Sequence, residues 1–267
     1  MNNIIIGIIG CGNMGGAIAR GIVKHGLLPA GSVFLYDKDT ARMDALSDET
    51  GCSRGVLTQM VRGSDILIIA VKPQNAEELL SAIGGDITSQ TVVSVMAGVT
   101  IETIEDKLGK GTPVARTMPN MGAFVGEAIT GIAFNGAVKL TEEVNAIFSG
   151  IGKVVDVDES LMDEVTALSG SGPAYLFFLA DAMMAAAEEM GFAPETAREL
   201  ISQTLFGAAN ILRDSKVPHG EMISRVASKG GTTEAALSVL EDKGVKDAIK
   251  AAIIKARDRS RELSRGE

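Results

Sequence analysis

A chain of 267 residues, 46% of them hydrophobic, is long enough for one large or two modest domains with a packed core in each. Its 25 Lys and Arg stand against 34 Asp and Glu, a net charge of −9, and with no Trp and two Tyr it has neither the basic surface nor the stacking platform that nucleic acid requires. Cys11 and Cys52 have no CxxC spacing and no nearby histidine pair, which argues against a metal site or a disulfide framework and for a reducing compartment, the cytoplasm.

The apolar opening IIIGIIG (Ile4 to Gly10) has no basic stretch before it and no small-residue cleavage site after it, so it reads as a buried strand rather than a secretory signal. Further β-branched runs follow as SVFLYD (Ser32 to Asp37), DILIIAV (Asp65 to Val71), TVVSVMA (Thr91 to Ala97) and PVARTM (Pro113 to Met118), alternating with helical patterns. Apolar runs without polar alternation suit strands buried on both faces, hence a parallel sheet flanked by helices. AITGIAF (Ala128 to Phe134) and KVVDV (Lys153 to Val157) bracket a helical stretch from Thr141 to Phe148 and extend the same sheet.

The turn after the first strand carries Gly10, Gly12 and Gly15 as GxGxxG, with Asn13 and Met14 between, and opens directly into the helical GAIARGIV. Asp37 lies 22 positions past Gly15, at the end of the second strand. Strand, turn, helix, strand and terminal acid in this order form a dinucleotide-binding Rossmann unit: the first glycine makes the tight turn, the second admits a pyrophosphate, and the third lets helix pack on strand. The pyrophosphate then sits on N–H groups at the positive end of a helix dipole. Asp37 would accept a ribose 2′-OH and repel a 2′-phosphate, favouring NAD, whereas Lys38 and Arg42 pull the other way; the reading is NAD(P)H with a lean to NADH.

After Asp158, Ala, Met, Leu and Glu replace the β-branched clusters, and helix punctuation falls at Gly172-Pro173, Gly191, Pro194, Pro218 and Gly244. The expected fold is α/β, a doubly wound N-terminal domain over 1–158 followed by an all-α domain over 159–267. The SGSGP break and Asp181 interrupt the apolar stretch from Val165 to Ala187, so no membrane span is expected. PAYLFFLADAMMAAAEEM (Pro173 to Met190) is apolar nearly all round in its first turns, more than a small helical domain can cover, which implies a second copy of the chain. The tail from Lys250 on mixes six basic with three acidic residues and reads as a solvated helix.

Two small-residue helix starts remain, SGSGPAYL from Ser169 and SKGGTTEAAL from Ser228. Each exposes backbone N–H at a helix start, with Pro173 in one first turn and Thr232 or Thr233 as the cap of the other, so either could hold a carboxylate. They read equally as a close helix crossing and an ordinary capped turn.

The set GxGxMG (Gly10 to Gly15), AVKPQ (Ala70 to Gln74), RTMPN (Arg116 to Asn120), LSGSGPAY (Leu168 to Tyr175) and GGTTEAAL (Gly230 to Leu237), in this order over nearly the whole chain, resembles the pyrroline-5-carboxylate reductase family. The resemblance implies reduction of the ring C=N of 1-pyrroline-5-carboxylate to proline by NAD(P)H, with a helical domain that binds substrate and interlocks with a partner subunit. It further implies that the loop from Gly230 binds substrate, that N–H groups around Gly231 and Thr232 meet its carboxylate, and that the catalytic Thr233 hydroxyl approaches the ring nitrogen. Ala70, Val71, Lys72 and Pro73, with the turn at Met118, Pro119 and Asn120, resemble the walls of the nicotinamide ribose site, and Ser171 and Gly172 belong near the same cavity. Three departures stand out: Lys229 where proline is common, Met121 and Gly122 after MPN where Thr and Pro are usual, and GEAIT in place of GxGxT.

An imine can arrive protonated, so a strong protein acid is not obligatory, and the Thr233 hydroxyl suits orienting the ring or relaying a proton to water. His25 at a helix end and His219 in a Pro-Gly turn read as surface residues. A β-hydroxyacid dehydrogenase would place a lysine on the first long helix of the second domain, and Pro173 to Met190 has none. A non-catalytic dinucleotide sensor would keep GCGNMG but needs no second anion site.

Overall fold

The computed structural model describes residues 4–265. Eight strands, β1 (Ile6–Ile9), β2 (Val33–Tyr36), β3 (Ser53–Arg54), β4 (Ile66–Ile69), β5 (Thr91–Ser94), β6 (Val114–Met118), β7 (Ala128–Phe134) and β8 (Gly152–Asp156), form one sheet in the order β3-β2-β1-β4-β5-β6-β7-β8. The strand order of the first six is that of doubly wound dinucleotide-binding sheets. Every pairing is parallel except β6 with β7, which run antiparallel, Thr117 opposite Ile132. Between the strands run α1 (Asn13–Lys24), α2 (Thr40–Thr50), α3 (Leu57–Gly63), α4 (Ala76–Ile83), α5 (Ile101–Leu108) and α6 (Thr141–Ser149).

The continuous apolar runs have a direct cause. Along β4, Ile66 and Ile68 join a core with Ile18 and Ile22 of α1 and Phe148 of α6, while Leu67 and Ile69 join another with Leu80 of α4 and Ile104 of α5. Both faces of the strand are therefore dry, each fully buried side chain contributing roughly 1.5–3 kcal/mol, and no position is left for a polar residue.

Helices α7 (Met162–Val165), α8 (Gly172–Glu189), α9 (Pro194–Asp214), α10 (His219–Val226), α11 (Thr232–Asp242) and α12 (Val245–Ser264) complete the chain. The chain packs as two compact units, one running to Pro173 and taking the chain back from Ala256 on, the other Ala174–Lys255. These limits differ from the compositional division at residue 158 because polar contacts bind the end of α12 to the first unit. Arg116 of β6, 5% exposed, lies 3.4 Å from Glu159 and 3.5 Å from Asp163. The Ser260 hydroxyl donates to Asp163 Oδ1 at 2.7 Å, and Arg261 pairs with Glu164. The tail expected to be a solvated helix is thus docked at its end, with Ser260 buried.

In the second unit the apolar start of α8 is uncovered: Leu176, Phe177 and Phe178 are 57%, 60% and 78% exposed. No helix among the described residues is long and apolar enough to cross a membrane.

Candidate active site

Gly10 takes φ +102°, and a Cβ there would lie 2.5 Å from the Ala70 carbonyl oxygen, so the chain leaves β1 through a turn that only glycine fits. A Cβ on Gly15 would sit 1.9 Å from the Gly10 oxygen, which is the close packing of α1 on the strand end. At Gly12 the nearest atom is the Arg42 guanidinium at 4.0 Å, so the middle glycine faces open space. Gly12 is the N-cap of α1 and offers no side chain, which leaves the first-turn N–H groups for a ligand.

They open onto a cavity of about 1260 Å³ in the first unit. The expected residues Gly10, Gly12, Asn13, Met14 and Asp37 line it, as do Ala70, Val71 and Lys72. Gly15, Lys38, Pro73, Met118, Pro119, Asn120, Ser171 and Gly172 do not border it. Cys11, Arg42 and the turn Ala123–Gly126, outside the expected set of site residues, line it as well, and His25 stands at its rim as the C-cap of α1.

Asp37 is doubly engaged. Its Oδ2 accepts the Cys11 N–H at 2.7 Å and its Oδ1 the Asp39 N–H at 2.9 Å, so the acid at the end of β2 also fastens the phosphate turn. A carboxylate accepts about four hydrogen bonds, which leaves capacity for ribose hydroxyls. Lys38 is bound to Glu78 at 2.7 Å, whereas Arg42 faces the cavity with an exposed, 3.5 Å pairing to Asp39. Burial, then the Asp37 charge, pushes the Cys11 thiol up to about 12, which disfavours the thiolate. Among the described residues no group of three or more His, Cys, Asp or Glu could hold a metal ion.

After β6, the Asn120 amide nitrogen donates to the Ser169 carbonyl at 3.2 Å, and its oxygen accepts the Gly122 N–H at 3.0 Å. Thr166–Gly170 is wound as a π-helical turn closed by the Ser171 N–H on the Thr166 carbonyl at 2.8 Å. Ser171 and Gly172 follow it directly, Gly172 opening α8.

In the second unit, α11 begins differently from the sequence expectation. Gly231 is its N-cap, Thr232 and Thr233 are its first two residues, and neither threonine caps the helix through its side chain. Glu234 instead reaches back past the N-cap, its carboxylate accepting the Gly230 N–H at 2.6 Å. The Gly231 N–H is turned onto the Ser228 carbonyl at 3.0 Å. Two of the loop's N–H groups are therefore engaged within it, and helix geometry leaves those of Thr232 and Thr233 without an intrahelical acceptor. His219, expected in a turn, is the first residue of α10, with Pro218 as N-cap.

Residues 159–263 match a family model described as pyrroline-5-carboxylate reductase dimerisation, and residues 5–98 one described as NADP oxidoreductase, coenzyme F420-dependent. The pyrroline-5-carboxylate reductase of Methanosarcina acetivorans is 40% identical over 270 residues, covering 99% of this chain and 100% of that protein. The chain belongs to the pyrroline-5-carboxylate reductase family. It is thereby an oxidoreductase, as the sequence resemblance implies. The reductase of Mycobacterium leprae is 35% identical over 283 residues, covering 97% of this chain and 96% of that one. Among solved structures, a Plasmodium falciparum pyrroline carboxylate reductase with NADP bound superposes with a TM-score of 0.90 at 28% identity, covering 99% of both chains. A Coxiella burnetii pyrroline-5-carboxylate reductase gives 0.90 at 31% identity, covering 98% of this chain and 99% of that one. At Met121 and Gly122 the backbone is a 3-10 turn held by Asn120, and a Cβ on Gly122 would lie 2.4 Å from the Glu127 oxygen.

Proposed function

We propose that the protein reduces 1-pyrroline-5-carboxylate to proline, taking hydride from NAD(P)H. The observation that carries this reading is the pairing of a built phosphate turn, Gly10 to Gly15 over a 1260 Å³ cavity, with full-length kinship to pyrroline-5-carboxylate reductases. The helix start at Thr232 and Thr233 supplies a second place for a negative group.

In this reading the N–H groups of Asn13 and Met14 would hold the pyrophosphate, Asp37 the adenosine ribose, and Ala70 to Lys72 the nicotinamide side. The coenzyme is NAD(P)H with a modest lean to NADH, which the Asp37 carboxylate in the cavity lining supports because it would repel a 2′-phosphate, while Arg42 in the same lining supports NADPH. The substrate carboxylate is held by the Thr232 and Thr233 N–H groups, and the Thr233 hydroxyl orients the ring nitrogen. The coenzyme would supply hydride to the imine carbon, where a new C–H bond forms while the C=N π pair goes to nitrogen. The ring arrives protonated on nitrogen, so neutral proline nitrogen results without a protein acid, and catalysis is chiefly positioning.

The uncovered Leu176, Phe177 and Phe178 support assembly of the helical region, 159–267, with a second copy. The two free, buried cysteines support a cytoplasmic setting. Loss of NAD(P)H absorbance on adding pyrroline-5-carboxylate, with proline as product, tests the reading; coenzyme binding without oxidation would instead favour a dinucleotide sensor.

A further inference from the structure

The Ser169 carbonyl sits four residues before Pro173. In a regular helix that carbonyl would accept the N–H of residue 173, and proline has none. The chain meets the deficit from another element: the Asn120 amide, in the turn after β6, donates to this oxygen at 3.2 Å. The same side chain fixes its own turn by accepting the Gly122 N–H. A second contact presses the two segments together, since a Cβ on Gly170 would lie 2.6 Å from the Met118 terminal methyl. The π-helical winding of Thr166–Gly170, a distortion that recurs at functional sites, is what presents the Ser169 edge to Asn120.

We propose that Asn120 is a positioning residue for the reduction: it locks the Met118–Asn120 turn to the Ser169–Pro173 helix opening, and so holds Ser171 and Gly172 in place for the substrate. The proposal rests on the reductase reading above and assigns Asn120 no direct hold on the coenzyme, in keeping with its place outside the cavity lining.

Asn120→Asp separates the two bonds. It keeps an oxygen for the Gly122 N–H but turns a second oxygen, in place of the amide N–H, toward the Ser169 carbonyl. The expected result is a fall of roughly tenfold or more in kcat/KM for pyrroline-5-carboxylate, with a raised KM, while the NADH Kd stays within about twofold of wild type. A merely structural loss would reduce the folded fraction, seen in the melting curve, and leave KM alone. Asn120→Ser, whose hydroxyl can still accept the Gly122 N–H but is too short to reach the Ser169 carbonyl, reproduces the pattern and decides the matter if Asn120→Asp does not fold. An unchanged KM and kcat in the folded variants, or an equal loss of NADH affinity, would overturn the proposal while the wild type remains an active reductase. A wild type inactive with pyrroline-5-carboxylate would overturn the reductase reading itself and the proposal with it.

Discussion

Replacing Asp37 by serine tests two roles of one carboxylate. In the structure it accepts the Cys11 and Asp39 N–H groups at 2.7 and 2.9 Å, and a single hydroxyl on a shorter stem cannot serve both. Losing the charge-assisted bond to Cys11 costs about 1.5 kcal/mol, the low end of the range because the site is half-buried, and loosens the phosphate turn for either coenzyme by roughly tenfold. The charge itself acts only on the 2′ position. At about 5 Å in a water-like dielectric, its repulsion of a doubly charged 2′-phosphate is roughly 1.5 kcal/mol, and serine relieves it. NADH affinity should therefore fall about tenfold or more, NADPH affinity should stay near its starting value, and the preference ratio should move toward NADPH by at least roughly tenfold. Fluorescence titration of both reduced coenzymes measures this. An equal loss for the two would mean that Asp37 only fastens the turn and is not at the ribose; no loss for either would contradict both roles.

Other perturbations probe separate parts of the account. Thr233→Ala should lower turnover by roughly tenfold or more while NADH affinity stays near wild type, and a parallel loss of coenzyme binding would misplace this threonine. Phe178→Glu, at a position 78% exposed on α8, should shift the particle toward monomers in light scattering; an unchanged mass would move the interface elsewhere. Because its thiol is pushed up to about 12, Cys11 should resist alkylation in the folded protein at mildly alkaline pH and react after denaturation, and rapid labelling of native Cys11 would refute the burial argument.

The middle of the sheet was legible because strands such as β4 are dry on both faces, so Ile66 to Ile69 could not be anything but apolar. The parallel pairing of β1, β2, β4, β5 and β6 was legible from such runs, but the antiparallel β7 was not, and it follows from the 3-10 turn at Met121–Val125 that brings the chain straight back. Nor was β3, whose Ser53 and Arg54 carry no apolar pattern and pair only at the edge. The phosphate turn was visible because close packing at Gly10 and Gly15 excludes other residues. The docking of Ser260 and Arg261 was not, because it joins residues nearly a hundred apart through polar side chains; the buried Arg116 inside an apolar strand was the available sign that partners had to exist. Likewise, the Asn120 link to Ser169 depends on a π-helical turn that no periodicity announces.

The claim that the chain moves hydride from a nicotinamide to an imine carbon is tested most directly with NADH deuterated at C4 in the transferred position. Incubated with pyrroline-5-carboxylate, the protein should yield proline carrying a single deuterium on its δ carbon. Unlabelled proline, or oxidised coenzyme with no proline formed, would contradict the account.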